Sequence, residues 1–480
     1  MSVIVKGCGG GGAANFVNGI IEEYLAQAGS INANTFVEFC GSLTISDAIS
    51  WDTISNSASN FALEGAVQYN DEYVVVFCTY NVNYKVAHHA VSIKISGNTA
   101  IVVNYVTYIE SSDNKVQVEA VAIPESGKIL LNWAEKLYLL GMSSNGNVSL
   151  LTTTGTSVVS FTKKRPIYMI KLSSELFVTA YVNGDNTSTP IRLHAIKLSG
   201  NTITVGEAYT MDAPQYYMYS YPIVALGANK FGLFNSDRAG STSNKNTNFR
   251  AFVFAVNSNL TISQLNFQQN LFKTNTIDNG FLLNVVPIKP NKKFVALIGN
   301  TGSDFTASAA AVADYLAAVI EFDNDTNSFS AGFFVKMDLN PPVGFTYAEA
   351  AILFRIEPIN EQRFVVQGFA RALTGNPDYR YTQLIEGYVS GKNIHFSEPL
   401  VTQESVNTYS NVCFVKCGSK LISFGGIKIS SPSAYSPKYL YIITPSETKI
   451  RKANFAIDGI TQTTATTTAK GKVAVLKGDE

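Results

Sequence analysis

The sequence has little of the material that disulfides, metal clusters or charged ligands require. Five cysteines and four histidines occur in 480 residues, and only 15% of the residues are charged. Lysine plus arginine equals aspartate plus glutamate, 36 each, which gives no general electrostatic attraction to nucleic acid or to an anionic membrane. The cysteines are odd in number and do not have the spacing of a disulfide framework. We therefore expect that the chain is made in a reducing cytoplasm and that its cysteines are unpaired. They are Cys8, Cys40, Cys78, Cys413 and Cys417.

Long apolar runs are also missing from the sequence. No stretch of about 18 apolar residues occurs, so membrane insertion is not expected. The opening segment MSVIVKGCGGGGAANF has glycines where a signal peptide would have its apolar core, and we expect no export by a secretory route. Its GCGGGG run (7–12) lacks the Lys-Ser/Thr step of a phosphate-binding loop, so we interpret it as a flexible arm.

Patterns typical of catalysis or metal binding are few. His88 and His89 are adjacent, and neighbouring residues of a strand point to opposite faces, so the pair is poorly placed to share one ion. Cys413 and Cys417 have a spacing too long for one zinc ion and no histidine nearby. The Ser-x-Asp-x-Gly-x-x-Trp box found in sialidases is absent. We therefore predict no catalytic residue, no metal site and no cofactor.

Repeated β segments fill the middle of the chain. SIKISGNTAIVV (92–103) and AIKLSGNTITVG (195–206) both place Ser-Gly-Asn between two alternating strands, and glycine and asparagine tolerate the positive φ of a tight hairpin turn. An apolar strand that follows one or two polar residues recurs seven times, about every 45 to 70 residues. The copies are DEYVVVFCTY, GKILLNWAEK, SELFVTAYV, NKFGLFNS, KKFVALIG, QRFVVQGF and SKLISFGG.

Four-stranded units with this period predict an all-β fold, a seven-bladed β-propeller over residues 61–452. Six or eight blades remain open alternatives, because two of the units are irregular. A β-sandwich or a β-solenoid is the rival architecture. A solenoid would need much shorter repeats, and a sandwich gives no reason for repetition at this period.

The two ends of the chain lie outside the repeat pattern. The spacing of apolar residues predicts a short amphipathic helix over 15–28, within an N-terminal arm of residues 1–30. Strands are predicted at 35–40 and at 472–476, and a lone strand pair is marginal in water. We therefore expect the ends to meet in a small β domain, residues 31–60 plus 453–480, with the propeller inserted between its halves.

These end segments carry a resemblance to a known family. SINANTFVEF (30–39) and IDGITQTTATTTAKGKVAVL (457–476) resemble paired segments that bracket variable middles in structural proteins of tailed bacteriophages. The similarity covers about 35 residues, and Asn34 and Thr461 depart from the commoner glycine and alanine. It implies a virion protein of the capsid surface, head fibre or tail, made in the host cytoplasm. It also implies homo-oligomers and contacts with other virion proteins through the arm and the anchor domain.

The long connections of the predicted propeller are expected to share one face. They join second to third strands, or one blade to the next, and they carry rings, amides and charges that suit a host glycan or surface protein. We predict ligand binding there and no enzyme activity. The alternative is a glycan hydrolase or lyase, whose carboxylates would have to converge from different blades. The predicted binding residues are Tyr216, Tyr217, Asp237, Arg238, Arg371, Asp378, Tyr379 and Arg380.

Overall fold

A computed structural model gives the fold of the chain. It describes residues 3–5, 14–16, 21–27, 29–32, 36–47, 49–51, 60–82, 85–111, 118–133, 136–152, 156–157, 167–182, 190–211, 221–238, 247–272, 280–300, 314–337, 345–347, 355–372, 379–397, 400–406, 413–426, 438–452, 459–461, 465–466 and 470–475. Within these ranges the chain is all-β, and the one helical turn is a short 3-10 turn at Pro124–Ser126.

The N-terminal part of the chain contributes seven short strands. They are β1 (Val3–Val5), β2 (Ala14–Phe16), β3 (Ile21–Ala26), β4 (Ser30–Ile31), β5 (Phe36–Cys40), β6 (Leu43–Ile45) and β7 (Ile49–Ser50). Strands β1 and β2 pair with each other in antiparallel fashion. The helix predicted over 15–28 is wrong, because β3 pairs along both of its edges with strands from the far end of the chain. Hydrogen bonds to these two distant strands stabilise the extended backbone more than the local sequence favours a helix.

The next twenty-three strands form blades 1 to 5. Blade 1 has β8 (Asn60–Gln68), β9 (Tyr73–Val82), β10 (Lys85–Ser96) and β11 (Thr99–Ser111). Blade 2 has β12 (Val118–Ile123), β13 (Lys128–Trp133), β14 (Lys136–Met142), β15 (Val148–Leu150) and β16 (Thr156–Ser157). Blade 3 has β17 (Tyr168–Lys171), β18 (Leu176–Val182), β19 (Ile191–Ser199), β20 (Thr202–Val205) and β21 (Tyr209–Thr210). Blade 4 has β22 (Ile223–Ala225), β23 (Lys230–Arg238), β24 (Thr247–Val256) and β25 (Ile262–Gln268). Blade 5 has β26 (Gly280–Lys289), β27 (Lys293–Asn300), β28 (Asp314–Asp323), β29 (Ser328–Ala331) and β30 (Val335–Lys336).

Blades 6 and 7 complete the ring. Blade 6 has β31 (Phe345–Tyr347), β32 (Arg355–Asn360), β33 (Arg363–Ala372), β34 (Tyr379–Ser390), β35 (Asn393–Phe396) and β36 (Leu400–Val406). Blade 7 has β37 (Cys413–Cys417), β38 (Lys420–Gly426) and β39 (Lys438–Pro445). The remaining strands are β40 (Lys449–Lys452), β41 (Gly459–Thr461), β42 (Ala465–Thr466) and β43 (Gly471–Val475).

In blade 6, β31 and β32 both pair with β33 and together form the first strand. The first strands of the seven blades contact one another in sequence, through β32 in blade 6, and β37 returns to β8. The fold is therefore the predicted seven-bladed β-propeller, with the first strand of each blade innermost. Blade 7 takes its outer strand from the N-terminal part of the chain, because β6 and β7 pair with β39. Joining sequence-distant strands in one blade closes the ring without leaving an exposed edge at the seam.

Both ends of the chain build a closed five-stranded barrel, in the order β3, β40, β5, β41 and β43. The predicted strands at 35–40 and 472–476 thus correspond to β5 and β43, and β41 pairs with both. The predicted domain boundaries need correction at two places. Residues 43–50 belong to blade 7, and Lys449–Lys452 belong to the barrel. These pieces are short, and each is fixed by a partner about 400 residues away.

Blade packing follows one repeated contact between second strands. If the first residue of each second strand is position 1, position 5 of one blade lies in the same apolar cluster as position 4 of the next at five interfaces. These pairs are Phe77 with Leu131, Ala180 with Leu233, Phe234 with Ala296, Leu297 with Val366, and Phe424 with Val76. The other two interfaces replace apolar contact by hydrogen bonds: Asn132 Nδ2 to Thr179 Oγ1 at 2.9 Å, and Gln367 Nε2 to Ser423 Oγ at 2.7 Å.

Candidate functional site

Strand direction gives the propeller two chemically different ends. The turn end carries the connections between first and second strands and between third and fourth strands. Both Ser-Gly-Asn repeats form turns there as predicted, with Gly97 and Gly200 each at a φ of 57°. The loop end carries the connections between second and third strands and between blades, so the long connecting segments are joined to this end.

The predicted binding residues that the structure describes lie at the loop end. Asp237 and Arg238 end the second strand of blade 4 and pair with Asn248 and Thr247 of its third strand. Arg371 lies near the end of the second strand of blade 6, and Tyr379 and Arg380 begin its third strand. The structure therefore forms two groups, which are separated by blade 5. Tyr216, Tyr217 and Asp378 lie outside the described residues.

Blade 6 brings two of these arginines together by register. Arg371 is directly opposite Arg380, Thr346 pairs with Arg371, and Ser405 pairs with Arg380. Like charges at directly opposed positions of a sheet destabilise it, and an arginine guanidinium frequently pairs with a carboxylate. This row of four residues places two arginines at directly opposed positions of the loop end.

The barrel meets the propeller at the opposite, turn end. Chain segments 41–42 and 446–448, which we call the neck, link β5 to β6 and β39 to β40. Ser42 and Ser446 pair across the neck, with Ser446 N donating to Ser42 O at 2.8 Å and Ser42 N donating to Ser446 Oγ at 2.9 Å. A salt bridge of 2.6 Å joins Glu447 to Lys470 next to β43. The loop end consequently lies on the side of the propeller away from the neck.

The adjacent histidines His88 and His89 lie in two separate polar contacts. His88 is fully buried, and its Nδ1 lies 3.0 Å from Oε1 of Glu64, whose Oε2 accepts a hydrogen bond of 3.3 Å from Tyr108. Burial raises the pKa of Glu64, and the hydrogen bond from His88 opposes this shift. His89 lies instead 3.1 Å from Thr107 Oγ1, so the two rings serve different partners.

His194 has a defined structural role. Its Nδ1 lies 2.8 Å from the carbonyl oxygen of Gly206, which can only accept, so Nδ1 carries the proton. Its Nε2 then accepts from the hydroxyl of Tyr181 at 2.9 Å. Burial lowers the pKa of His194, which favours this neutral ring. The arrangement joins two strands of blade 3 and leaves no ring nitrogen for a ligand.

The inner strand of blade 6 carries Glu357, a carboxyl group with a strongly shifted pKa. Burial raises the pKa of Glu357 to about 8, opposed by Lys416 and Arg355 and by a hydrogen bond from the Lys416 backbone. Burial also raises the pKa of Cys413 and Cys417 to about 12, so neither thiol is a reactive thiolate near neutral pH. A strongly shifted carboxyl is a candidate for chemistry, but here burial causes the shift and the nearby cations Lys416 and Arg355 reduce it.

The described part of the chain lacks the side-chain groups of a metal centre. In these residues no group of three or more His, Cys, Asp and Glu side chains is placed to hold a metal ion, and no disulfide occurs. The same residues contain no helix of the length and apolarity that crossing a bilayer requires.

Comparisons with known proteins find solved structures at low identity and low TM-score. No family model and no curated protein matches the chain. Among solved structures, a levansucrase mutant of Bacillus subtilis is 11% identical over 76% of this chain and 92% of its own, with a TM-score of 0.34. Periplasmic gluconolactonase PpgL of Pseudomonas aeruginosa is 12% identical over 66% and 95%, with a TM-score of 0.31. The AfRom2 CNH domain is 8% identical over 86% and 100%, with a TM-score of 0.40. At these values the activities of those proteins do not transfer to this chain.

Sequence reasoning missed Arg363, a buried cation at the joint between the propeller and the barrel. Arg363 is fully buried, forms an ion pair with buried Glu386, and donates to the neck. The signal was present in the repeat, since QRFVVQGF has arginine where GKILLNWAEK, NKFGLFNS, KKFVALIG and SKLISFGG have lysine. The difference between arginine and lysine at this position matters because Arg363 contacts the neck.

Proposed function

We propose that this chain is a structural protein of a tailed-phage particle, attached through its barrel and presenting the loop end of its propeller to the host surface. The observation that carries the proposal is the position of the neck. The barrel joins the turn end, so an attached barrel leaves the loop end facing outward. The cell-surface ligand is expected to be a glycan or a protein that contacts polar side chains.

The segments that resemble phage proteins support the attachment role of the barrel. SINANTFVEF contains β4 and all but the last residue of β5, and IDGITQTTATTTAKGKVAVL contains β41, β42 and β43. Each strand of the first segment pairs with a strand of the second: β4 with β42, and β5 with β41. Two segments separated by more than 400 residues therefore form one module, as expected if that module has its own partner.

The register of blade 6 supports recognition at the loop end. Its second and third strands place Arg371, Tyr379 and Arg380 together, with Thr346 and Ser405 in the same row as the arginines. Guanidinium groups bind carboxylates in a bidentate manner, and tyrosine rings stack against the apolar faces of sugars. Blade 4 adds Asp237 and Arg238 at the same end.

A cell-attachment assay with the purified chain tests the proposal. The double variant Tyr379→Ala/Arg380→Ala is expected to fold normally, because it changes a strand end, and to lose most of its attachment to host cells. The matched control is Lys197→Ala/Ser199→Ala, which removes an exposed cation and a hydroxyl at the turn end. This control is expected to attach like the unchanged chain.

Three outcomes would contradict the proposal. Equal attachment by both variants would place recognition elsewhere. Absence of the chain from purified particles, measured by mass spectrometry, would remove the virion role. Release of sugar fragments from host polysaccharide by the purified chain would favour the glycan hydrolase or lyase instead.

A further inference from the structure

The neck is part of one antiparallel ribbon that runs through both domains. In the barrel, Lys449 pairs with Cys40, and in blade 7 Pro445 pairs with Leu43. Three residues (446–448) therefore stand opposite two (41–42), so the register shifts by one residue between the domains. Such a shift bends and twists a strand pair locally. Without a further contact, the neck would be the point where the barrel could turn relative to the propeller.

Position 1 of the second strand contacts the outer hairpin turn of the next blade around the ring. Lys128 Nζ donates to Gly200 O at 2.6 Å, Lys293 Nζ to Gly391 O at 3.1 Å, and Lys420 Nζ to Gly97 O. Lys230 donates to Asn327 Oδ1 at 3.0 Å. Each lysine thus satisfies acceptors of a turn in the neighbouring blade.

Arg363 holds this position in blade 6, and the next blade has no outer hairpin. Blade 7 is open there, because its third strand leaves for the barrel and its fourth strand arrives from it. The neck takes the place of the turn. Arg363 Nη1 donates to Ser446 O at 2.5 Å and to Thr448 Oγ1 at 3.3 Å, while Nη2 contacts Glu386.

The other chain crossing of the neck is packed against the same guanidinium. A Cβ atom on Gly41 would overlap Nη2 of Arg363, so a larger residue there would displace the guanidinium. Glu386 also accepts from the hydroxyl of Tyr388 at 2.9 Å. The ion pair is fully enclosed, with Arg363 at 0% and Glu386 at 3% exposure. A planar group with several donors can serve both the neck and Glu386, which a single ammonium cannot do equally well.

We infer that Arg363 fixes the barrel to the propeller. It replaces the missing hairpin contact at the seam of blade 7, and it restrains both chain crossings of the neck. One buried side chain thereby couples closure of the ring to the orientation of the barrel. This role concerns the joint alone, so it stands whether or not the chain belongs to a virion.

Cleavage of the full chain by trypsin after Lys449, timed by mass spectrometry, tests the inference. Arg363→Lys keeps the charge, and Arg363→Met/Glu386→Gln removes the ion pair without leaving a buried charge. Both variants are expected to be cut at Lys449 about tenfold faster or more, because cleavage follows the population of the open neck. Small-angle scattering should show a broader distribution of distances between the domains.

The matched control is Lys293→Met, which removes a cation at position 1 of blade 5 whose contact is with the outer turn of blade 6. It is expected to lower the melting temperature and to leave cleavage at Lys449 unchanged. If the double variant fails to fold by circular dichroism, Arg363→Lys decides the outcome. Unchanged cleavage in the folded Arg363 variants, or an equal increase in Lys293→Met, would overturn the inference.

Discussion

The polar contact between blades 2 and 3 gives a quantitative test of how the ring is packed. Thr179 is fully buried, and its Oγ1 accepts from Asn132 Nδ2 at 2.9 Å and donates to Tyr168 O at 3.1 Å. Thr179→Val keeps the shape and removes both hydrogen bonds. The buried Asn132 amide is then left without this acceptor.

The expected loss follows from the energies of these contacts. Leaving the buried Asn132 amide without its acceptor costs about 1–3 kcal/mol, and losing the bond to Tyr168 O costs about 1 kcal/mol more. The total is about 2–4 kcal/mol. Unfolding entropy of about 2 cal/mol/K per residue over a domain of about 400 residues converts this to a fall in Tm of roughly 2–5 °C. Differential scanning calorimetry measures that change.

A double-mutant cycle separates the contact from a general loss of packing. Asn132→Leu/Thr179→Val makes this interface apolar, like the five others, and should recover most of the stability lost in Thr179→Val. Thr202→Val, an exposed position on β20, is the control and should change the free energy of unfolding by less than about 0.5 kcal/mol. If the stability lost by the double variant equals the sum of the losses of Asn132→Leu and Thr179→Val alone, the two residues are not coupled and the reasoning is refuted.

Three further predictions follow from single sites. Gly41→Ala should lower Tm and speed cleavage at the neck, because its Cβ would overlap Arg363 Nη2, and normal values for both would contradict that contact. Glu357 has its pKa raised to about 8, so the folded chain binds more protons than the unfolded chain between about pH 4.5 and 8, and stability should fall as pH rises through that window. Glu357→Gln should flatten this dependence in thermal melts, and an unchanged slope would argue against the shift. Asn104→Ala removes two hydrogen bonds of 2.8 Å to the backbone of Val148 in the next blade and should cost about 1–2 kcal/mol by calorimetry, whereas no loss would show that blades 1 and 2 do not depend on them.

The blades could be predicted because their signals are local. An apolar strand after a polar step marks each second strand, and Ser-Gly-Asn marks turns whose glycines have positive φ. The strand signal occurs once in each blade, so its seven copies give the blade number. The alternation that identifies a strand does not depend on which strand lies next to it.

The ends were harder because their partners are far away in the chain. Ile21–Ala26 has a spacing compatible with a helix, and only pairing with β40 and β43 makes it a strand. Leu43–Ile45 is too short to be recognised as the outer strand of blade 7 without knowing that β39 lacks a hairpin partner. The role of Arg363 depends on the same open blade. These contacts cannot be predicted from short sequence segments, because they form only when the ring closes.

Antibody labelling of intact particles tests the central claim most directly. An epitope inserted at the loop end, in the segment between Arg238 and Thr247, is compared with one inserted at the turn end, between Gly200 and Asn201. Electron microscopy with gold-conjugated antibody should show strong labelling of particles with the loop-end epitope and little labelling with the turn-end epitope. Labelling of the turn end alone would show that the propeller is attached by its loops, and would contradict the account.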